Sequence, residues 1–197
     1  KQFYNYKNKD IIDHSVEKSL NSRLFRKIII VSNNQNYFKK KKYFKSVKII
    51  KGGKERSDSS LNALKYLKKY KPRNVFIHDA ARPNFSINLL KNLKKSLSKN
   101  KAVVPYLNTN NSTKYSYGNK VINLKRQGVM LTQTPQCFDY KTLYNLSMNN
   151  KISVTDESAL FINNNEKVKF IKGEETNIKI TKKSDLYNHH ERTFYGI

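Results

Sequence analysis

Short β-branched runs alternate with amphipathic helical patterns along this chain, and that alternation limits the fold more than any other feature. Strand candidates occupy residues 27–32, 47–50, 74–79, 102–106, 167–172 and 178–181. Between them, residues 59–70 set Leu61, Leu64 and Leu67 on one stripe, and residues 87–99 do the same with Leu90, Leu93 and Leu97. Leucines recurring at helical spacing form one apolar face, whereas short β-branched runs suit buried strands. Strand–helix–strand repetition predicts βαβ units, hence an α/β fold with a mainly parallel sheet. With 197 residues and no repeat or low-complexity linker, the whole of 1–197 reads as one domain with a substantial core.

Open α/β sheets gather ligands outside the carboxyl ends of their strands. The string VFIHDAARP at residues 75–83 carries a hydrophobic strand straight into Asp79, followed by Ala80, Ala81, Arg82 and Pro83. Asp79 therefore stands where a sugar or metal contact belongs, with a turn-capping aspartate as the alternative. Thr155 reads as an N-cap, with Asp156 and Glu157 in the first helical turn. The polar stretch from Asn108 to Gly128 pairs residues 114–117 with 120–124 across Gly118 and Asn119, a hairpin signal. A lone hairpin cannot bury its own faces, so this one is expected to pack on a partner.

Charge raises a competing class. Forty Lys+Arg against 14 Asp+Glu give a net charge of +26, which suits a polyanion-binding protein. The lysines are spread along the whole chain among asparagines and tyrosines, however, as the coding bias of an AT-rich genome would leave them. No specific nucleic-acid partner is therefore expected, and the run at residues 39–42 reads as a solvated loop. Cys137 is the single cysteine, so an internal disulfide is excluded and a packed thiol is expected. No apolar stretch reaches the roughly 20 residues of a membrane span. The expectation is a protein of the bacterial cytoplasm with no membrane partner. His189 and His190 are adjacent and lack metal-ligand spacing.

The string HDAARP at 78–83 resembles the signature of the 2-C-methyl-D-erythritol 4-phosphate cytidylyltransferase family. Further blocks follow the family's order: KQFY at 1–4, GGKERSDS at 52–59, Arg126, TPQ at 134–136, Thr155 with Asp156, and NIKIT at 177–181. The resemblance implies a single Rossmann-like nucleotidyltransferase domain with a projecting β-hairpin arm, about residues 106–128, that reaches the other subunit of a homodimer. It also implies transfer of CMP from CTP, with Mg2+, to a polyol phosphate, 2-C-methyl-D-erythritol 4-phosphate, in isoprenoid precursor synthesis. The products would be 4-diphosphocytidyl-2-C-methyl-D-erythritol and pyrophosphate.

The resemblance assigns roles to residues present here. Lys1 would stabilise charge on the triphosphate, Lys179 would position the acceptor, and Arg126 would hold the acceptor phosphate from the neighbouring subunit. Such chemistry needs cations and positioning more than covalent participation by protein. Gly52, Gly53 and Ser59 match the cytosine-reading turn, braced by Arg56. Asp79 would hold the ribose or seat magnesium, with Ala80 offering backbone and Arg82 buttressing the turn. Thr109, Thr134 and Thr155 complete the expected acceptor contacts, with Asp156 a second acid near the pocket.

The match departs from the family in places. The family's first strand and glycine-rich phosphate loop are not in the sequence, so a fragment beginning just before Lys1 is expected. Asn108 replaces the usual aspartate, and the lysine expected close behind Thr109 is displaced, with Lys114 able to replace it only if the arm carries an insertion. The string RTFYGI at 192–197 resembles the start of a cyclodiphosphate synthase domain, which implies a fused two-enzyme parent. The nearest rival activity is transfer to a pentitol phosphate such as ribitol 5-phosphate.

Overall fold

A computed structural model describes residues 2–150 and 154–186. Lys1 and residues 192–197, which carry two of the expectations above, lie outside the described residues. The elements run β1 (Asn5–Tyr6), β2 (Lys9–Asp10), α1 (Ile11–Asn21), β3 (Ile29–Val31), α2 (Gln35–Phe38), β4 (Lys48–Ile50), α3 (Arg56–Leu67), β5 (Asn74–Ile77) and α4 (Ile87–Leu97). Then come β6 (Ala102–Asn108), β7 (Thr113–Tyr117), β8 (Lys120–Leu124), β9 (Met130–Thr132), β10 (Gln136–Asp139), α5 (Tyr140–Asn149), α6 (Ser158–Asn163) and β11 (Lys169–Lys172).

The expected α/β class holds, but the central sheet is mixed rather than mainly parallel, because the reversed strand β10 lies between β5 and β6 and β9 also runs antiparallel to β6. Its order is β11-β6-β10-β5, with β9 added on β6. β10 runs antiparallel to both β5 and β6, and β11 runs parallel to β6, so β5, β6 and β11 share one direction. β3 and β4 form a separate parallel pair. The reversed strand β10 was not among the strand candidates, because the short segment QCFD after a proline gives a weak local signal. Conversely, residues 178–181 form no strand. One backbone bond, Ile180 N to Ala81 O at 2.8 Å, ties them to the turn after β5. The amides of Thr181 and Lys182 then turn onto Asp185 Oδ2 at 2.7 and 2.8 Å, which ends the extended path.

Period-two alternation of the strands divides the core into two layers. Ala102 and Phe138 face one cluster, with Leu64 of α3, Leu143 of α5 and Phe161 of α6. Their neighbours Val103 and Cys137 face the other, with Phe85 and the α4 leucines Leu89, Leu90, Leu93 and Leu97. Phe138 and Phe161 stack at 5.2 Å. Burying side chains of this size stabilises the fold by about 1.5–3 kcal/mol each. Cys137 is fully buried, and burial pushes its thiol up, so it packs as expected rather than reacting.

The lysine run departs from expectation at one position. Lys39, Lys40 and Lys42 are exposed, but Lys41 turns inward to Asp10 Oδ2 at 2.6 Å and Asp13 Oδ2 at 2.7 Å. Tyr43 donates to Asp13 at 2.6 Å and Tyr37 donates to Asp10. This lock fastens α1 to the segment after β3, where Phe3 packs on Tyr37. The hairpin of β7 and β8 forms as expected, turning at Gly118 with φ of 55°. Its Tyr115, Tyr117, Val121 and Ile122 are all exposed.

Candidate active site

Three strands, β3, β4 and β5, end in the loops that build the site, and the first turn of α3 links those loops. Glu55 and Asp58 close that turn with a reciprocal capping box, so the helix start is fixed. Ser59 Oγ accepts from Gly53 N at 3.1 Å, and Asn33 Oδ1 accepts from Gly52 N at 3.1 Å. A Cβ on Gly53 would collide with Asp58, so glycine is required for this close approach. Gly52, Gly53 and Ser59 thus meet at one turn. Beside it opens a cleft of about 360 Å³ lined by Gln2, Phe3, Ser32, Asn33, Gly52 and Ser59.

Asp79 lies just past the end of β5 and is the electrostatic hub. Its Oδ2 pairs with Lys179 Nζ at 2.8 Å, and its Oδ1 lies 3.5 Å from Arg56 Nε, a charge contact rather than a full hydrogen bond. Burial alone would raise the Asp79 carboxyl, but the Lys179 ammonium and then Arg56 hold it below the ordinary value. Lys179 reaches this position because neighbouring Ile180 is fully buried and anchored to Ala81, which leaves Lys179 on the open side. Arg56 is gripped from behind by Glu157, with Nη1–Oε1 at 2.9 Å and Nη2–Oε2 at 2.8 Å. That bidentate grip aims the remaining edge of the guanidinium at Asp79.

Behind the hub lies a chain of partly buried polar groups. Thr134 Oγ1 accepts from Asp79 N at 3.0 Å and meets His78 Nδ1 at 3.2 Å. His78 Nε2 faces the carbonyl of Arg82 at 3.0 Å, so Nε2 carries the proton and Nδ1 accepts from the Thr134 hydroxyl. Burial lowers the His78 pKa to about 4 from an ordinary 6.5. The unfolded chain therefore takes up a proton as pH drops below 6.5, while folded His78 stays neutral until about 4. Stability should fall by about 3 kcal/mol across that window, at about 1.4 kcal/mol per pH unit. Urea unfolding between pH 7 and 4.5 measures this, and a matching decline in His78→Gln would disprove the linkage.

Arg82 donates to the carbonyls of Asn177 at 2.7 Å and Thr132 at 3.4 Å. Thr134 is buried and its hydroxyl is engaged inside the protein, so it positions Asp79 instead of facing a ligand. Thr155 is exposed and is not an N-cap, because α6 begins at Ser158. Asp156 does the capping, accepting from Ala159 N at 3.2 Å and Ser158 Oγ at 2.5 Å. Thr109 Oγ1 accepts from Asn111 N at 3.2 Å in a local turn. Arg126 sits exposed at the base of the hairpin, its guanidinium donating to the Asn110 carbonyl at 3.4 Å. Ala80 is partly buried in the turn after Asp79.

A resident magnesium does not fit this donor set. Asp79 is already paired with Lys179 and Arg56, and no group of three metal-ligating side chains occurs among the described residues. Sequence reading missed Asn33, whose role depends on β4 lying beside β3, and Gln133. The Gln133 side chain bonds Glu174 O at 2.8 Å and Glu174 N at 3.0 Å, fixing the segment that leads to Lys179.

The family profile described as "IspD: 2-C-methyl-D-erythritol 4-phosphate cytidylyltransferase" matches residues 1–190. A Pelagibacter ubique protein named "Bifunctional enzyme IspD/IspF" is 46% identical over 187 residues, covering 94% of this chain and 50% of that relative. The chain thus spans about half the length of that relative. A 2-C-methyl-D-erythritol 4-phosphate cytidylyltransferase from Thermosipho melanesiensis is 36% identical over 198 residues, covering 95% of this chain and 86% of the relative. The crystal structure of 4-diphosphocytidyl-2C-methyl-D-erythritol synthase from Anaerococcus prevotii superposes with a TM-score of 0.87 at 26% identity, over 96% of this chain and 88% of that one. On these matches, the chain belongs to the 2-C-methyl-D-erythritol 4-phosphate cytidylyltransferase family of nucleotidyltransferases.

Proposed function

We propose that this chain transfers CMP from CTP to 2-C-methyl-D-erythritol 4-phosphate, in the bacterial cytoplasm where CTP is made. The observation that carries this reading is the Lys179–Asp79 pair beside the Gly52–Ser59 cleft, both reached from the first turn of α3. A phosphate oxygen of the acceptor attacks the α-phosphorus of CTP. The new P–O bond forms as the bond to the bridging oxygen breaks, and that electron pair leaves with pyrophosphate. Lys179 offsets charge building on the phosphates, and Asp79 holds Lys179 in place until a ribose hydroxyl takes up the carboxylate. Magnesium enters as the counter-ion of CTP, part of the substrate.

The acceptor phosphate falls to Arg126 of a second copy, whose planar fork suits bidentate phosphate recognition. The exposed apolar faces of the β7–β8 hairpin support this homodimer reading, since a free hairpin leaves them in water. The match to half of a two-enzyme relative supports a cytidylyltransferase region within a longer protein.

The test is CTP-dependent pyrophosphate release by the full-length protein, with methylerythritol phosphate and ribitol 5-phosphate offered separately. Release with the first alone is the expected result. Release with ribitol phosphate alone, or with neither, would overturn the reading.

A further inference from the structure

We infer that Lys41 is a positioning residue for the nucleotide cleft: it seats Phe3, an aromatic wall of that cleft, from outside and so sets the affinity for CTP. The inference rests on the cytidylyl-transfer reading for its ligand, while the seat itself is a matter of geometry. Phe3 lines the cleft of about 360 Å³ together with Gln2. Its backbone is carried by the start of α1, where Ile12 N donates to Gln2 O and Ile11 N to Tyr4 O, both at 3.0 Å. Its ring is carried by α2, with the ring centres of Tyr37 at 4.2 Å and Phe38 at 6.1 Å. Two elements therefore hold Phe3, and its place depends on how they sit together.

Lys41 joins them. Asp10 and Asp13 flank the amides of Ile11 and Ile12, and Lys41 Nζ donates to both carboxylates, at 2.6 and 2.7 Å. The same ammonium lies 4.5 Å from the centre of the Tyr37 ring, whose hydroxyl donates to Asp10. Asp10 precedes α1 yet caps none of its amides with its side chain, so the carboxylate is given over to this cluster. Burial opposes the Lys41 charge, but the bonds to Asp10 and Asp13 hold its pKa above the ordinary value. Lys41 does not line the cleft, so its influence on a ligand passes through Phe3. Without their shared cation the two carboxylates would repel each other and loosen the start of α1 from α2.

The chain has no tryptophan, so Phe3→Trp places a lone fluorescent reporter in the seat. In that background Lys41→Met should move the emission to longer wavelength as the ring loosens into water, whereas Lys41→Arg should leave it near the parent. With Phe3 intact, calorimetry should show Lys41→Met binding CTP about 10-fold more weakly, a usual size for coupling between connected positions. In turnover the loss should appear in KM for CTP, with kcat and KM for methylerythritol phosphate held within about threefold. Lys41→Arg should restore the affinity. Leu97→Ala, in the α4 layer, should lose stability without changing CTP affinity, which tells a general loosening apart. Lys41→Gln, which keeps a donor without the charge, serves the same measurements if Lys41→Met does not fold. An unmoved emission, or CTP affinity within about threefold of wild type in the folded variant, would overturn the inference. A wild type that binds no CTP would count against the transfer reading, while the emission would still test the seat.

Discussion

Lys179→Ala should lower kcat/KM for pyrophosphate release by about 10²–10³-fold, the usual consequence of deleting one group aimed at developing charge. The loss should fall mainly on kcat, because the interaction strengthens as the leaving pyrophosphate gathers charge. Folding should survive, since the Lys179 side chain is 41% exposed and its anchor is the neighbouring Ile180, which stays in the core. The thermal midpoint of the variant should therefore lie close to that of wild type. Lys179→Arg keeps a cation and should recover part of the rate. Turnover within about threefold of wild type in the alanine variant would remove Lys179 from the catalytic set.

The second large effect concerns stability. Arg56→Met should destabilise the fold by about 3–5 kcal/mol, because it strands the Glu157 carboxylate away from its bidentate partner. Glu157 is 2% exposed, so water cannot replace the guanidinium without opening the start of α6. At about 2–4 °C per kcal/mol for a domain of this size, the midpoint should drop by about 10 °C. The double variant Arg56→Met with Glu157→Met should recover much of that loss, since the unpaired charge is then gone. Urea titration of the four proteins measures the cycle. A loss below about 1 kcal/mol in Arg56→Met would show that Glu157 does not depend on Arg56.

Much of the fold was legible in local pattern. The α3 and α4 stripes, the hairpin at Gly118 and the acid ending β5 all stand where the sequence puts them. Each rests on the spacing of near neighbours, which one turn of helix or a few residues of strand makes visible. Errors arose where a distant group overrode the local signal. Thr155 looked like a cap, yet Asp156 took the helix amide and also bonds Thr132 at 3.1 Å. Lys41 looked like one of a solvated run, yet Asp10 and Asp13 drew it inward, and their carboxylates outweigh burial in keeping it charged.

The sequence alone therefore determined the alternating elements, the apolar faces and which charged and polar residues the site contains. Tertiary structure alone decided the order β11-β6-β10-β5, the grip of Glu157 on Arg56 across 101 residues, and the meeting of Asn33 with Gly52. The division follows from chain physics. Periodicity records only what lies within a few residues, whereas a contact across a hundred residues forms when burial elsewhere has already offset the entropy of closing the loop.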